Sequence, residues 1–385
     1  RHRALGAALL AAALLVAACG DDGAESTASS DASGSASSSA SASASASPSA
    51  SAPADDETAA DAEDSADGAD TADGAEDGSS TDEASDEAQA DDAEESAAAP
   101  EPEADPVLPV TVTDTTGAEI TVSSVDRIIP LDGTVAEVVF ALGLGDNVVA
   151  TDLSATFPAE ADALPEIGYQ RALAAEPIAA FEPTVLLATD IAGPDGTLDD
   201  LRALGYPVVI VPNDATADGP GRKIRAVAAA LGVPGRGEAL ASEVDQTIEA
   251  ISVAGDGDGG PRVAALYIRG TTAQLVLGRD SATHWLIGAA GGVDIADELD
   301  IDETVPVTAE AILRVDPEVL LVPAAGLASV DGIDGLLAIE GLDRTSAGQA
   351  GRVLTYDDQL LLGNGPRVGD LLAELQAELA AVTRP

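Results

Sequence analysis

Two short triplets place a phenol and a guanidinium two residues apart: Tyr169-Gln170-Arg171 and Tyr267-Ile268-Arg269. A nearby guanidinium favours the deprotonated phenol, and arginine can grip a carboxylate through two parallel N–H donors. A loop tyrosine needs no chemistry to explain it, so these triplets draw their weight from their setting. Tyr169 follows Gly168, which sets up a bend, and precedes Glu176-Pro177, where proline suits the first turn of a short helix. Tyr267 closes an apolar stretch, Val263 to Ile268, that reads as a strand. Residues i and i+2 of a strand share a face. Tyr267 and Arg269 therefore point the same way, at the strand edge where open α/β sheets bind ligands.

The surrounding composition narrows the chemistry. From Val107 to Pro385 there is no cysteine and no methionine, one lysine (Lys223) and one histidine (His284). A His/Cys metal cluster and a cysteine nucleophile are both excluded. No serine lies in a Gly-x-Ser-x-Gly elbow, so the chain is not expected to be an enzyme. His284-Trp285 is expected at a helix opening capped by Ser281 or Thr283, with no ligand role. Tyr206 and Tyr356 flank strands and are expected at the core edge. One tryptophan and three phenylalanines count against a large aromatic-lined cup.

The elements that must position the triplets follow from periodicity. Val110 to Val122 alternates around Thr116-Gly117, a hairpin signal. Strands are expected at 127–131, 147–150, 185–188 and 208–211, with helices over 135–142, 177–181, 198–204 and 222–231. A longer helix over 236–251 leads into a Gly-rich break at 255–260. Strands at 263–268, 319–322 and 352–356 then alternate with helices at 284–290, 309–315 and 367–382. This βα alternation predicts an α/β fold of parallel sheets with flanking helices. Glu176-Pro-Ile-Ala-Ala-Phe-Glu-Pro-Thr-Val-Leu-Leu187 recurs as Glu310-Ala-Ile-Leu-Arg-Val-Asp-Pro-Glu-Val-Leu-Leu321, which predicts two duplicated, Rossmann-like lobes joined by one long helix. The boundaries expected are an N-terminal lobe at 107–231, a bridging helix and break at 232–260, and a C-terminal lobe at 261–385.

The N-terminal quarter is different material. Residues 1–18, a basic start and an apolar run, predict a secretory signal peptide. Residues 19–106 are mainly Ala, Ser, Asp and Glu, without a single lysine or arginine, and predict a disordered acidic tether. The formal net charge of −52 argues against a nucleic-acid partner.

Leu15-Val16-Ala17-Ala18-Cys19 resembles a bacterial lipobox, which implies lipidation of Cys19 and anchoring to the extracytoplasmic face of the cell membrane. With two lobes bridged by one helix, the chain resembles the haem ABC transporter substrate-binding lipoproteins of the helix-bridged periplasmic-binding-protein family. The residues that carry the haem-branch resemblance are Gly168-Tyr-Gln-Arg171, Leu173-Ala-Ala-Glu176, Ala289-Ala-Gly-Gly292 and Leu361-Leu-Gly363. The resemblance implies haem b as transported ligand, an ABC permease and its ATPase as partners, and Glu176 and Glu310 as permease-docking carboxylates. Tyr169, Tyr206, Tyr267, Tyr356 and His284 are the axial ligand types the folded part offers. Of these, Tyr169 and Tyr267 are the candidate iron ligands, Tyr169 as principal, with Arg171 and Arg269 beside them. Some relatives put the iron-binding tyrosine in the second lobe, so the choice between the two stays open. Arg171, Arg269, Arg279 and Arg367 are candidate cations for the propionates. A ferric-siderophore or cobalamin receptor is the alternative.

Overall fold

The computed structural model describes residues 105–252 and 259–382. The expected leader, Cys19 and the tether up to residue 104 lie outside the described residues, as do residues 253–258 of the expected break.

The first strands, β1 (Val110–Thr113) and β2 (Glu119–Val122), form an antiparallel hairpin. Asp114 builds its turn, accepting from the backbone N–H groups of Thr116 (2.9 Å) and Ala118 (3.1 Å). Gly117 supplies the left-handed φ of +84° that the turn requires. Next come β3 (Ile128–Pro130), α1 (Gly133–Ala141), α2 (Ala159–Asp162), α3 (Ala175–Ala179), β4 (Val185–Ala188), α4 (Asp195–Ala203), β5 (Val208–Ile210) and α5 (Gly219–Ala230). The parallel sheet of this lobe runs β3-β4-β5. A left-handed Gly232 then turns the chain into the 18-residue α6 (Pro234–Ile251).

The second lobe contains β6 (Arg262–Arg269), β7 (Ala273–Val276), α7 (Ala282–Ala289), β8 (Val293–Asp294), α8 (Ile295–Leu299), β9 (Val305–Pro306) and α9 (Ala309–Val315). It continues with β10 (Val319–Pro323), α10 (Ala324–Ala328), α11 (Ile333–Leu337), α12 (Ser346–Ala350), β11 (Val353–Tyr356), α13 (Asp358–Gly363) and α14 (Val368–Ala380). Its parallel strands run β8-β6-β10-β11.

The two lobes share one wiring. The repeated segment supplies α3 and β4 in the first lobe and α9 and β10 in the second, and each of those strands lies between two parallel neighbours. Val148 makes an isolated parallel bridge to Ile128, just where β8 meets β6. The expected strand at 147–150 is reduced to that bridge, because Gly145–Asn147 wind into a 3-10 turn. The second sheet is parallel at its centre, as expected, and carries an antiparallel extension: β7 runs antiparallel to β6 and to β9. A tight reversal at Gly270 (φ +55°), closed by Thr272 N–H on the Arg269 carbonyl at 3.1 Å, folds β7 back on β6.

Period-2 alternation divides the core. Ile128, Val185 and Leu187 from the first sheet, and Val263, Ala265, Val319 and Leu321 from the second, face one continuous apolar layer with α5, α6 and α14. The opposite faces, Leu186 and Val208 in one lobe and Ala264, Leu266 and Leu320 in the other, close separate local cores. Gly237 of α6 packs so closely on α5 that a Cβ there would sit 2.2 Å from that of Ala228.

Candidate functional site

A cleft of about 890 Å³ opens between the lobes, within the usual size of small-molecule sites. Its walls are the residues that follow the carboxyl ends of the parallel strands. Asp132 and Thr134 follow β3, Ile191 follows β4 and Asn213 follows β5. Opposite them stand Tyr267 and Arg269 at the end of β6, Ala324 and Ala325 after β10, and Asp357, Asp358 and Gln359 after β11. Tyr169, Gln170 and Arg171 arrive on a loop of the first lobe. Both triplets therefore face one cleft.

The Tyr169 loop is held from two sides. Gly168 takes a φ of +103°, which side chains resist, and its carbonyl accepts from Leu153 N–H at 2.9 Å. Beyond the tyrosine, the Gln170 carbonyl accepts from Gly193 N–H at 2.8 Å. Buried Asp152 ties the turn from below: it accepts from Ser154 N–H and Oγ (3.0 and 2.9 Å) and from the Gln170 backbone N–H. Burial raises its carboxyl to about 6, with the charge of Asp132 adding to the effect and these hydrogen bonds opposing it. Tyr169 itself is 40 % exposed. Gln170 Oε1 is buried without a hydrogen-bond partner among the described residues.

The second triplet is built differently. The Arg269 guanidinium lies over the Tyr267 ring, 4.4 Å from its centroid. It donates to the Ile268 carbonyl at 2.8 Å and forms a short ion pair with Asp358. Asp358 is itself fixed by Ala325 N–H at 2.9 Å. Burial pushes the Tyr267 phenol up, the charge of Arg269 pulls it back down, and Tyr169 and Asp358 add to the rise. Arg171, by contrast, is exposed, and its guanidinium has no ion-pair or hydrogen-bond partner among the described residues.

The cleft floor is a polar junction between the lobes. Gln359 donates to the Gly133 carbonyl (2.9 Å), Glu137 (2.9 Å) and the Phe157 carbonyl (3.2 Å), and accepts from Thr156 and Phe157 N–H (2.8 and 3.0 Å). Buried Lys223 donates to Thr134 Oγ1 at 2.7 Å in its own lobe and to the Gly363 carbonyl at 2.9 Å in the other. Burial pushes its ammonium below the ordinary lysine range, against the pull of Asp132 and Glu137. Gly363 must be glycine, because a Cβ would sit 2.2 Å from Thr134 Cγ2.

Three expectations are corrected here: the cleft roles of Arg367 and Arg279 and the cap of α7. Arg367 is no cleft cation: it grips Glu137 at 3.1 Å and covers the Phe157 ring at 3.6 Å. Arg279 is held by Asp300 and Asp302 at 3.0 and 2.7 Å, outside the cleft lining. Ser281 occupies the N-cap of α7 but caps nothing, because its hydroxyl turns to the Gly278 carbonyl and to Thr283. His284 binds Asp294 at 3.1 Å, also away from the cleft. Tyr206 and Tyr356 pack against the cores. Glu176 and Glu310 stand exposed in the first turns of α3 and α9.

The sequence reading missed Asp358, Gln359 and Lys223. The first two sit immediately past the carboxyl end of a strand, the same positional signal that had drawn attention to Tyr267.

The family profile described as "Periplasmic binding protein" matches residues 128–360. The periplasmic heme-binding protein RhuT from Roseiflexus sp. RS-1 is 43 % identical, superposes with a TM-score of 0.65, and is matched over 99 % of its chain and 67 % of this one. The heme binding protein HmuT is 35 % identical with a TM-score of 0.65, over 92 % of its chain and 72 % of this one. A vitamin B12-binding protein of Pectobacterium carotovorum is 23 % identical over 199 residues, 51 % of this chain and 70 % of the relative.

Proposed function

We propose, from the premise that the chain belongs to the periplasmic binding protein family, that it is an extracytoplasmic receptor which binds haem b between its lobes and hands it to an ABC importer. The family is one of binding proteins, not enzymes. The observation that carries the ligand is the pair of Tyr-x-Arg triplets, one from each lobe, on a single cleft. Similarity to heme-binding RhuT and HmuT supports it.

In this reading Tyr169 and Tyr267 are the residues that would hold the ferric iron, a role open to tyrosine. At Tyr267 the charges of Arg269 and Arg171 favour the phenolate over the phenol. Removal of the ligand from water between the lobes strengthens both effects. Lipidated Cys19 would anchor the receptor to the outer face of the membrane. Exposed Glu176 and Glu310, at matching points of the two lobes, would meet cations on the permease and steer docking. The bound importer would comprise that permease and its ATPase.

The test is an absorption titration of the purified protein with ferric haem, with cobalamin as the comparison arm. Near one-to-one binding with a phenolate-to-iron charge-transfer band is expected. Tyr169→Phe should abolish or greatly weaken that band, and His284→Ala should leave it unchanged. Loss of the band in Tyr267→Phe alone would move the principal bond to the second lobe. Tight cobalamin binding without haem binding would replace this reading by the one the vitamin B12-binding relative suggests. Docking is tested by haem-stimulated ATPase activity in proteoliposomes, which should fall in the Glu176→Ala, Glu310→Ala double variant while haem binding stays intact.

A further inference from the structure

The two Tyr-x-Arg triplets look alike in sequence but are wired differently. The Arg269 guanidinium is held by three partners: the Ile268 carbonyl, the Asp358 carboxylate and the face of Tyr267. Asp358 is not a passing contact. Its second oxygen is fixed by Ala325 N–H at 2.9 Å, and its side chain is only 25 % exposed. Arg171 stands on the opposite wall with no such partner among the described residues.

We infer that Asp358 is a positioning residue that holds Arg269 flat on Tyr267, so that Arg269 serves the tyrosine while Arg171 receives the ligand's carboxylate. This rests on the haem reading and adds a division of labour to it. The chemistry follows from charge. Arg269 already has a carboxylate partner in Asp358, and a second carboxylate brought to it would be repelled by the first. A carboxylate brought to Arg171 meets an uncompensated guanidinium able to bind it bidentately. The cleft thus orders its ligand, with the carboxylate toward the first-lobe wall and away from the Arg269–Asp358 pair.

The experiment compares ferric haem with its dimethyl ester, which keeps the ring and iron but carries no free carboxylate. The readout is the ratio of the two affinities in the full-length protein. Arg171→Gln should reduce that ratio by about tenfold or more, the range for a charge-assisted hydrogen bond. Arg269→Gln should weaken both ligands alike, alter the tyrosinate band and leave the ratio in place. In an Asp358→Asn background, where Arg269 has lost its carboxylate partner, Arg269→Gln should now lower the ratio as well. The inference is overturned if Arg269→Gln alone reduces the ratio as much as Arg171→Gln, or if the Asp358→Asn background makes no difference. All three substitutions are at part-exposed or exposed side chains, and unchanged melting curves would show that each variant is folded. Failure of the wild type to bind either porphyrin is a separate outcome that removes the haem reading, and this inference with it.

Discussion

Replacing Gln359 with leucine removes the polar bridge of the cleft floor while keeping its volume. Gln359 is 6 % exposed, and its amide makes hydrogen bonds to Gly133, Glu137, Thr156 and Phe157, all in the opposite lobe. The bond to the Glu137 carboxylate is charge-assisted and buried, worth about 1.5–3 kcal/mol, and the one to the Gly133 carbonyl adds about 1 kcal/mol. Thr156 and Phe157 lie at an exposed edge, where water can replace the lost acceptor. The sum is about 2.5–4 kcal/mol of lost stability. For a folded unit of this size, each kcal/mol moves Tm by roughly 2–4 °C, so a fall of about 5–16 °C is expected. The assay is thermal and urea unfolding followed by circular dichroism. Because the amide ties one lobe to the other, the variant should also unfold with a broadened transition. A Tm within about 2 °C of the wild type would show that the junction is held by its apolar contacts and that these hydrogen bonds add nothing net.

Asp152 carries a pH signature. Its carboxyl is raised to about 6 from an ordinary 3.8, so the native state holds its proton more tightly than the unfolded chain does. Its contribution to stability is fully present below about pH 4 and is lost as pH rises through about 6. Asp152→Asn should remove that slope in urea unfolding measured between pH 4 and 7, and an unchanged slope would assign it to another group. Lys223→Met should cost about 3 kcal/mol or more, because it strips an ammonium from beside buried Asp132 and Glu137. A loss below about 1 kcal/mol by the same unfolding assay would mean that the lysine is uncharged in the fold.

Much of the architecture was written in local pattern. The strand runs Val185-Leu-Leu-Ala188 and Val319-Leu-Leu-Val322 are apolar throughout, and the Glu-x-Ile…Pro-x-Val-Leu-Leu repeat marks the same βα unit in both lobes. Periodicity could not reveal β7, because Ala273-Gln-Leu-Val276 is short and follows a turn without Pro or Asn. The triplets were legible because strand alternation and a glycine bend fix where Tyr267 and Tyr169 point. Arg367 and Arg279 were misread because an arginine's role depends on carboxylates far away in sequence, Glu137 for one and Asp300 and Asp302 for the other. Asp358 was overlooked for the converse reason: its place just past β11 is a signal, but in a chain with 69 acidic residues no single carboxylate announces a partner that lies 89 positions away.

Lys223 is the only lysine in the sequence, and it is 1 % exposed where it bridges the two lobes. Lysine-directed crosslinkers, dyes and biotinylation reagents will therefore find no side-chain target on the native surface. A lysine-specific protease has a single bond to cut, between Lys223 and Ile224, inside α5. That bond becomes accessible only when the helix unwinds and the lobes part. The rate of this one cleavage is thus a built-in clock for global opening, because proteolysis follows the population of the opened state when reclosing is fast. A ligand held between the lobes would slow the clock, so binding could be read from a gel without any spectroscopic signal from the ligand itself.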